Sequence, residues 1–199
     1  QALLAESMDA GALGLSFGLI YPPGSYAETE ELIALARTAA EKGGLFTVHM
    51  RSESARLVEA TAEMLRVAEE SGCRCVISHH KATGGVFNWN KTAATLSLME
   101  QAAARGCDVF CDQYPYTASS TGLSTNIPDE LHALGVDALL DLLSPQKRET
   151  LRPVICGERT SRERFQYTMI GWSVSHPEYA GRMLNEIAQA RGEDPFDTQ

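Results

Sequence analysis

A repeat of strand and helix constrains the fold of this chain more than any other feature. Apolar runs at 12–18, 45–51, 75–81 and 107–113 have the composition of β-strands, and helical patterns that end at glycine lead into them. The repeat recurs about every thirty residues, a spacing typical of parallel strands joined by right-handed helical crossovers. The sequence therefore predicts an α/β protein with a parallel sheet.

Two architectures use this repeat. A doubly wound sheet that binds a dinucleotide carries a GxGxxG turn after an early strand, and the chain has no such fingerprint. A (β/α)8 barrel carries its polar functional residues at the carboxyl ends of several strands. Such residues follow the predicted strands here, namely His49, Arg51, His79, Lys81 and Asp112. We therefore expect a TIM-barrel type of fold, present as a partial barrel.

Side-chain alternation along the second and third predicted strands suggests a metal site. Phe46, Val48 and Met50 would share a helix-facing side, and Thr47, His49 and Arg51 would share the other side. In the third strand, alternation groups Cys75, Ile77, His79 and Lys81 on one side and turns His80 away from them. His49 and His79 occupy equivalent places in consecutive repeats, so both could reach one divalent ion. His80 is left out of the predicted site.

Composition excludes several classes of function. With 199 residues, 44% of them hydrophobic, the chain can bury a substantial core, and a net charge of -9 does not favour nucleic acid or an anionic membrane as partner. The five cysteines form no CxxC pair, which indicates reduced, mostly buried thiols. The sequence shows no signal peptide or membrane span. A cytoplasmic protein acting on small molecules is expected.

The character of the chain changes after the fourth strand. We predict a partial catalytic barrel over 1–123 and a mostly helical insertion or cap over 124–199, without a clear fifth strand. The chain begins at Gln1 with a helical pattern, so we expect it to be an excerpt that lacks the end of the barrel. Exposed sheet edges of such a piece would favour self-association.

Further polar residues follow the predicted strands. Arg51 or Lys81 could form an ion pair with Asp112 or Glu53, or could bind an anionic group of a substrate. Lys81 is the better candidate for substrate, and Arg51 is expected to be structural. Hydroxyl groups in the loops, those of Tyr21, Tyr114, Tyr116, Ser119 and Ser120, could orient a carboxylate or an amide. No serine lies in a GxSxG elbow, which argues against a nucleophilic serine.

Several stretches in the same order resemble one family. They are 11–16, 18–26, 49–53, 77–82 and 112–123, and the stretches 176–179 and 191–192 are similar too. These stretches are similar to those of D-aminoacylases, the N-acyl-D-amino-acid deacylases of the amidohydrolase superfamily. The resemblance implies a zinc-dependent (β/α)8 hydrolase that cleaves N-acyl-D-amino acids to a carboxylate and a free D-amino acid.

The resemblance also implies residue roles. His49 and His79 match zinc-binding histidines of the fifth and sixth barrel strands. Lys81, Tyr114 and Ser120 match positions that hold the substrate carboxylate, and Tyr21 matches a tyrosine at the mouth of the site. The family's catalytic aspartate, its HxH pair and its cysteine ligand have no counterpart in this chain. We therefore assign no catalytic residue, place the chain at about barrel strands 4–7, and expect it to be inactive and to bind metal weakly in isolation.

Two alternatives stay open at this stage. The fold could act on another amide, such as a cyclic imide or ureide. The chain could instead be a non-catalytic scaffold or binding subunit that needs a partner to complete its barrel. Assays with N-acetyl-D- and L-amino acids would separate the two substrate classes, and the neighbouring coding sequence would test the scaffold hypothesis.

Overall fold

The first compact unit of the protein is built on four parallel strands. A computed structural model describes residues 1–199, and their contacts divide them into units Gln1–Tyr116 and Thr117–Gln199. The strands are β1 (Gly14–Gly18), β2 (Leu45–His49), β3 (Arg74–Ile77) and β4 (Val109–Cys111), and they are neighbours in the order β1-β2-β3-β4. All three pairings are parallel, as the repeat predicts.

Close approach of two strands explains a glycine in β1. Gly14 pairs with Leu45, and a Cβ atom at Gly14 would lie only 2.1 Å from the carbonyl oxygen of Leu45. Any larger residue would push β1 away from β2. The small residue at this place is therefore required by the strand spacing.

The helices of the first unit connect these strands. They are α1 (Ala2–Asp9), α2 (Thr29–Glu41), α3 (Leu57–Ser71), the short α4 (Val86–Trp89) and α5 (Lys91–Ala104), with a 3-10 turn at Gly24–Tyr26. Helix α3 ends at Gly72, whose φ of 70° places it in the left-handed conformation that glycine adopts without strain. The glycine that the sequence marks as a helix stop has this role.

One apolar core joins the helices to one face of the sheet. Phe46, Val48 and Ile77 from the strands are fully buried and belong to the same cluster as side chains of α2, α3 and α5. Helical spacing predicts one shared face for five residues of α3, and all five are buried, namely Leu57, Thr61, Met64, Leu65 and Ala68. Helices α2, α3 and α5 thus cover the same side of the sheet.

The spacing of apolar residues predicts that Ala93, Leu96, Met99 and Ala103 of α5 face inward and that Asn90 caps the helix. The predicted inward face is wrong in most positions. Met99 is buried, but Ala93, Leu96 and Ala103 are exposed, and Thr95 and Ala102 are buried instead. The buried Thr95 lies 2.9 Å from Nε2 of His80 through its Oγ1, so the face of α5 that packs on the sheet includes a polar residue that apolar spacing does not mark. Asn90 makes no side-chain capping bond at the start of this helix.

The second unit, residues 117–199, is helical and has its own small core. Its α-helices are α6 (Asp129–His132), α7 (Val136–Leu142), α8 (Arg152–Cys156), α9 (Ser161–Arg164), α10 (Leu184–Arg191) and α11 (Pro195–Thr198), with 3-10 turns at Leu123–Asn126, Arg148–Leu151 and Pro177–Tyr179. Phe165, Leu184 and Phe196 lie at the centre of the core. None of the helices in either unit is both long and apolar enough to cross a bilayer.

Candidate metal centre

The carboxyl ends of β2 and β3 bring His49 and His79 into contact. His49 is the last residue of β2, and its Nδ1 atom lies 2.9 Å from Nε2 of His79, which follows β3 by two residues. The two ring centroids are 4.5 Å apart in an edge-to-face arrangement. The juxtaposition predicted from the repeat is therefore present in the structure.

The backbone route to this contact differs from the predicted one. Cys75 and Ile77 are buried beside Phe46 and Val48 on the helix-facing side, so unbroken alternation would bury His79 there as well. Strand β3 instead ends at Ile77, and His79 has a φ of 42°, the only positive φ of a non-glycine residue in the chain. The prediction that Ile77 and His79 share a face is wrong because this turn redirects the histidine.

Asp112 supports the turn from the neighbouring strand end. Its carboxylate Oδ1 accepts the backbone N–H of His79, and its backbone carbonyl accepts the N–H of His80 at 2.9 Å. A left-handed conformation is costly for a residue with a Cβ, so it persists only where surrounding bonds hold it. Asp112 therefore acts on the backbone of the site.

Glu53 links His79 to Lys81. The Glu53 carboxylate lies 2.9 Å from Nδ1 of His79 and 2.7 Å from Nζ of Lys81, and the residue is only 7% exposed. The ammonium of Lys81 also donates to the backbone carbonyl of His79 at 3.0 Å. The ion pair between Lys81 and Glu53, one of the two alternatives for this lysine, is thus formed in the structure. The predicted substrate role of Lys81 stays a prediction.

His49 carries a buried nitrogen that has no hydrogen-bond partner. Its Nε2 atom is inaccessible to solvent and unpaired, while Nδ1 contacts His79. Burial lowers the pKa of His49, and the charge of Lys81 also lowers it, against the opposing effect of Glu53. A neutral imidazole with a free lone pair is the form of histidine that binds metal ions.

Arg51 is occupied by structural contacts. Its guanidinium donates to Ser25 O at 2.6 Å, to Ala27 O at 2.9 Å, and to both carboxylate oxygens of Glu63 at 3.0 and 3.1 Å. The partner is Glu63 of α3, which is neither of the carboxylates weighed from the sequence. Arg51 therefore ties the loop before α2 to α3, in agreement with the structural role expected for it.

The predicted tyrosines of the first unit lie beside the histidines and the lysine. The ring centroid of Tyr21 is 5.1 Å from that of His49, and Nζ of Lys81 lies 5.4 Å from the centroid of the Tyr114 ring. The hydroxyl of Tyr114 is buried and has no hydrogen-bond partner. Ser120 belongs to the second unit and is exposed. The substrate-binding roles of these residues stay predictions.

His80 and the cysteines lie outside the metal group. The ring of His80 is buried, and its Nε2 lies 2.9 Å from Oγ1 of Thr95 in α5. This contact supports the prediction that His80 is not part of the metal site. Cys73 and Cys75 are buried, as expected of small apolar residues, whereas Cys111 is exposed because β4 lies at an edge of the sheet. The thiols are free in the structure.

The residues at this strand end fit a zinc ion. His49, Glu53 and His79 each offer a ligand atom, and these atoms lie within 4.8 Å of one another. Imidazole nitrogens and a carboxylate oxygen are ligands that zinc prefers. Sequence reasoning considered Glu53 only as an ion-pair partner. Its place four residues after His49 gave no signal of a role in the metal group.

Known proteins similar to this chain include deacylases of N-acyl-D-amino acids. The chain is 37% identical over 194 residues to N-acyl-D-glutamate deacylase and 35% identical over 195 residues to D-aminoacylase, both from Alcaligenes xylosoxydans xylosoxydans. Each match covers 98% of this chain and 33% of the relative. The resemblance to the D-aminoacylase family is confirmed, and the chain spans about a third of the length of these curated relatives.

A solved structure shows the same likeness in three dimensions. N-acyl-D-glutamate deacylase from Bordetella bronchiseptica, crystallised with zinc and a phosphonate inhibitor that mimics the tetrahedral intermediate, superposes with a TM-score of 0.74. The match covers 99% of this chain and 34% of that protein at 33% identity. No protein-family model matches the chain.

Proposed function

We propose that the polypeptide containing this chain is a zinc-dependent amidohydrolase that cleaves N-acyl-D-amino acids to a carboxylate and a free D-amino acid. The observation that carries the proposal is the contact of His49 with His79, with a buried unpaired nitrogen on His49. The named activities of the relatives and the zinc in the solved structure support the same reaction.

We also propose that the four-stranded sheet is part of a (β/α)8 barrel, about strands 4–7. In a doubly wound sheet helices cover both faces, whereas in a barrel they cover only the outside. Helices α2, α3 and α5 share one core on one side of this sheet, and His49 projects from the other side. This one-sided arrangement favours the barrel, with residues 1–123 as its catalytic part and 124–199 as a helical insertion.

In the proposed enzyme, His49 and His79 hold the metal ion. When bound, zinc supplies Lewis acidity, which polarises a carbonyl group and lowers the pKa of water towards neutrality. Lys81, with Tyr114 beside it, would bind the α-carboxylate of the substrate, and Tyr21 would border the mouth of the site. Asp112 already accepts the backbone N–H of His79, so we do not propose it for proton transfer. We assign that step to no residue of this chain.

Small molecules are the proposed partners. The net charge of -9 gives no attraction to nucleic acid or an anionic membrane, and the reduced thiols suit the cytoplasm, where we propose that the protein acts. Strands β1 and β4 each have a single neighbour in the sheet. Because unpaired strand edges attract other strands, we propose that the chain self-associates when produced alone.

The test uses the protein encoded by the complete reading frame that contains this chain. Hydrolysis of N-acetyl-D-amino acids should exceed that of the L-isomers, and bound zinc should be detected by elemental analysis. His49→Ala and His79→Ala should each lower the zinc content and reduce kcat/KM at least about 1,000-fold. His176→Ala serves as a control, because His176 lies at the surface of the second unit beside Glu178.

Three results would contradict the proposal. They are equal hydrolysis of both enantiomers, cleavage of cyclic imides or ureides in place of N-acyl-D-amino acids, and full activity and zinc content in both histidine variants. The last result would place the metal elsewhere.

A further inference from the structure

We propose that Asn88 is a positioning residue that holds Lys81 in place for the carboxylate of the substrate. The inference rests on the proposed function, in which Lys81 binds that carboxylate. It is carried by the buried amide of Asn88, which a series of hydrogen bonds connects to Glu53, the residue that pairs with Lys81.

Asn88 belongs to α4, the short helix after β3, and its side chain is buried. The residue is only 2% exposed, and its Nδ2 atom donates to the carbonyl oxygen of Thr83 at 2.8 Å. The backbone N–H of Asn88 donates to Gly85 O at 3.0 Å. Both bonds return to the segment just before α4, so the loop after β3 is folded around this residue.

The oxygen of the same amide has no hydrogen-bond partner. Oδ1 of Asn88 is inaccessible to solvent and unpaired. A buried acceptor without a donor is unfavourable, and a leucine of similar size would avoid that cost. The bond from Nδ2 to Thr83 is the interaction that asparagine supplies at this position and leucine does not. The function of Asn88 therefore lies in that bond.

Thr83 connects this loop to the loop that follows β2. Its backbone N–H and its Oγ1 both donate to the carbonyl oxygen of Glu53, at 2.7 and 3.1 Å. At the start of α5, Nζ of Lys91 donates to Ala55 O at 2.7 Å. The loops after β2 and β3 are therefore bonded to each other on both sides of α4, and the bonds from Thr83 lie at the residue that carries the carboxylate.

Lys81 is held between the same two loops. Its ammonium lies 2.7 Å from the carboxylate of Glu53, 3.0 Å from the carbonyl oxygen of His79 and 3.1 Å from Nδ1 of that histidine. A lysine has a flexible four-carbon stem, so these contacts determine where its charge lies. If the backbone of Glu53 moves, its carboxylate moves and the ammonium of Lys81 follows. Asn88 thus acts on the position of this cation through the main chain.

The experiment compares two substrates of the protein encoded by the complete reading frame. One is an N-acetyl-D-amino acid, and the other is its carboxamide, which lacks the anionic group. In Asn88→Leu, kcat/KM for the acid should fall about 10- to 100-fold, mainly through a higher KM, because the ammonium of Lys81 is displaced. For the neutral carboxamide, kcat/KM should change less than about threefold, because it has no charge for Lys81 to bind. A general loss of structure would lower both values equally.

Asn90→Leu is the matched control. Asn90 lies two residues further along the chain, is exposed, and makes no side-chain capping bond to α5. Both values of kcat/KM should stay within about twofold of those of the unchanged protein. If Asn88→Leu does not fold, Thr83→Val removes one of the two bonds to Glu53 O and keeps the shape of the side chain. The ratio of kcat/KM for the acid to that for the carboxamide should then fall about 2- to 10-fold.

Hydrogen exchange at the backbone N–H of Thr83 gives a second measurement, which needs no substrate. This N–H donates to Glu53 O, so its exchange reports how often the two loops separate. In Asn88→Leu the exchange should be at least about tenfold faster, because the loop after β3 loses the bond that holds Thr83. In Asn90→Leu it should be unchanged.

Three results would overturn the inference. They are equal losses of kcat/KM for the acid and the carboxamide, unchanged kcat/KM for the acid, and unchanged hydrogen exchange at Thr83. Each applies to Asn88→Leu, and the first two apply to Thr83→Val if that variant replaces it. Failure of the proposed function would look different, because the unchanged protein would then hydrolyse neither substrate while exchange at Thr83 still responded to Asn88→Leu.

Discussion

Replacing Arg51 with methionine tests whether this arginine has a structural role or a role in substrate binding. The substitution leaves the carbonyls of Ser25 and Ala27 without their donor and removes the cation from Glu63. Loss of one partner from a buried ion pair costs about 3–5 kcal/mol. The side chains of Arg51 and Glu63 are 23% and 16% exposed, so solvent screening reduces the expected loss to about 2–3 kcal/mol. For a chain of this size the melting temperature should fall by about 4–12 °C.

Urea unfolding of the chain and its variants measures this loss. The double variant Arg51→Met with Glu63→Gln should be about 1–2 kcal/mol more stable than the sum of the single losses predicts, because the two groups interact. Arg66→Met is the control. Arg66 pairs with Glu70 at the exposed surface of α3, where solvent screens the ion pair, so its loss should leave the stability nearly unchanged. A stability of Arg51→Met within 0.5 kcal/mol of the unchanged chain would refute the structural role and return Arg51 to the candidates for substrate binding.

Three further outcomes are expected. Asp112→Ala should lower the free energy of unfolding by about 1–2 kcal/mol, because the backbone N–H of His79 loses its acceptor. Asp112→Asn keeps a side-chain oxygen and should lose less stability. Urea unfolding that shows both variants to be as stable as the unchanged chain would contradict this. Iodoacetamide at pH 8 should alkylate the exposed Cys111 and spare the buried Cys75, as mass spectrometry of the peptides would show. Burial raises the pKa of Cys75 above its ordinary value of 9.0, so its contribution to stability is present below pH 9 and is lost as the pH rises further. Above pH 9 the free energy of unfolding of the unchanged chain should therefore fall more steeply with pH than that of Cys75→Ala, by up to about 1.4 kcal/mol per pH unit. Parallel plots of unfolding free energy against pH for the two proteins would contradict this.

The face of β2 was predictable because every residue of that strand is extended. Phe46, Val48 and Met50 alternate with Thr47 and His49, and the first three are buried under the helices as expected. An extended strand with one apolar face has a single way to bury that face. The sequence pattern alone therefore determined which way His49 points.

The direction of His79 was not predictable by the same rule. Alternation predicts that His79 shares a face with Ile77, but the left-handed backbone at His79 reverses its side chain. The backbone N–H of His79 also donates a hydrogen bond to Asp112, 33 residues away in the chain. Nothing in the local pattern marks a non-glycine residue for this conformation. The pairing with His49 was inferred correctly from the repeat, although the assumed path of the chain was wrong.

Long-range polar partners were only partly predictable. Lys81 pairs with Glu53, 28 residues away, which is one of the two carboxylates considered, whereas Arg51 pairs with Glu63, 12 residues away, which was not considered. Several acidic residues lie at comparable distances along the chain, and only the packing of α3 against the sheet selects among them. Helix α5 shows the same limit, because its buried face includes Thr95, whose partner His80 lies 15 residues away in the chain.

The irregular backbone at His79 restricts how this end of the sheet can vary. A β-branched residue at that position would clash in a left-handed conformation, and a glycine would keep the turn but lose the imidazole. Transfer of the histidine pair to another parallel sheet would fail if only the side chains were copied onto regular strands. Such a design would also need a strand that ends two residues before the second histidine and a hydrogen-bond acceptor on the neighbouring strand. The backbone turn therefore has to be copied together with the side chains.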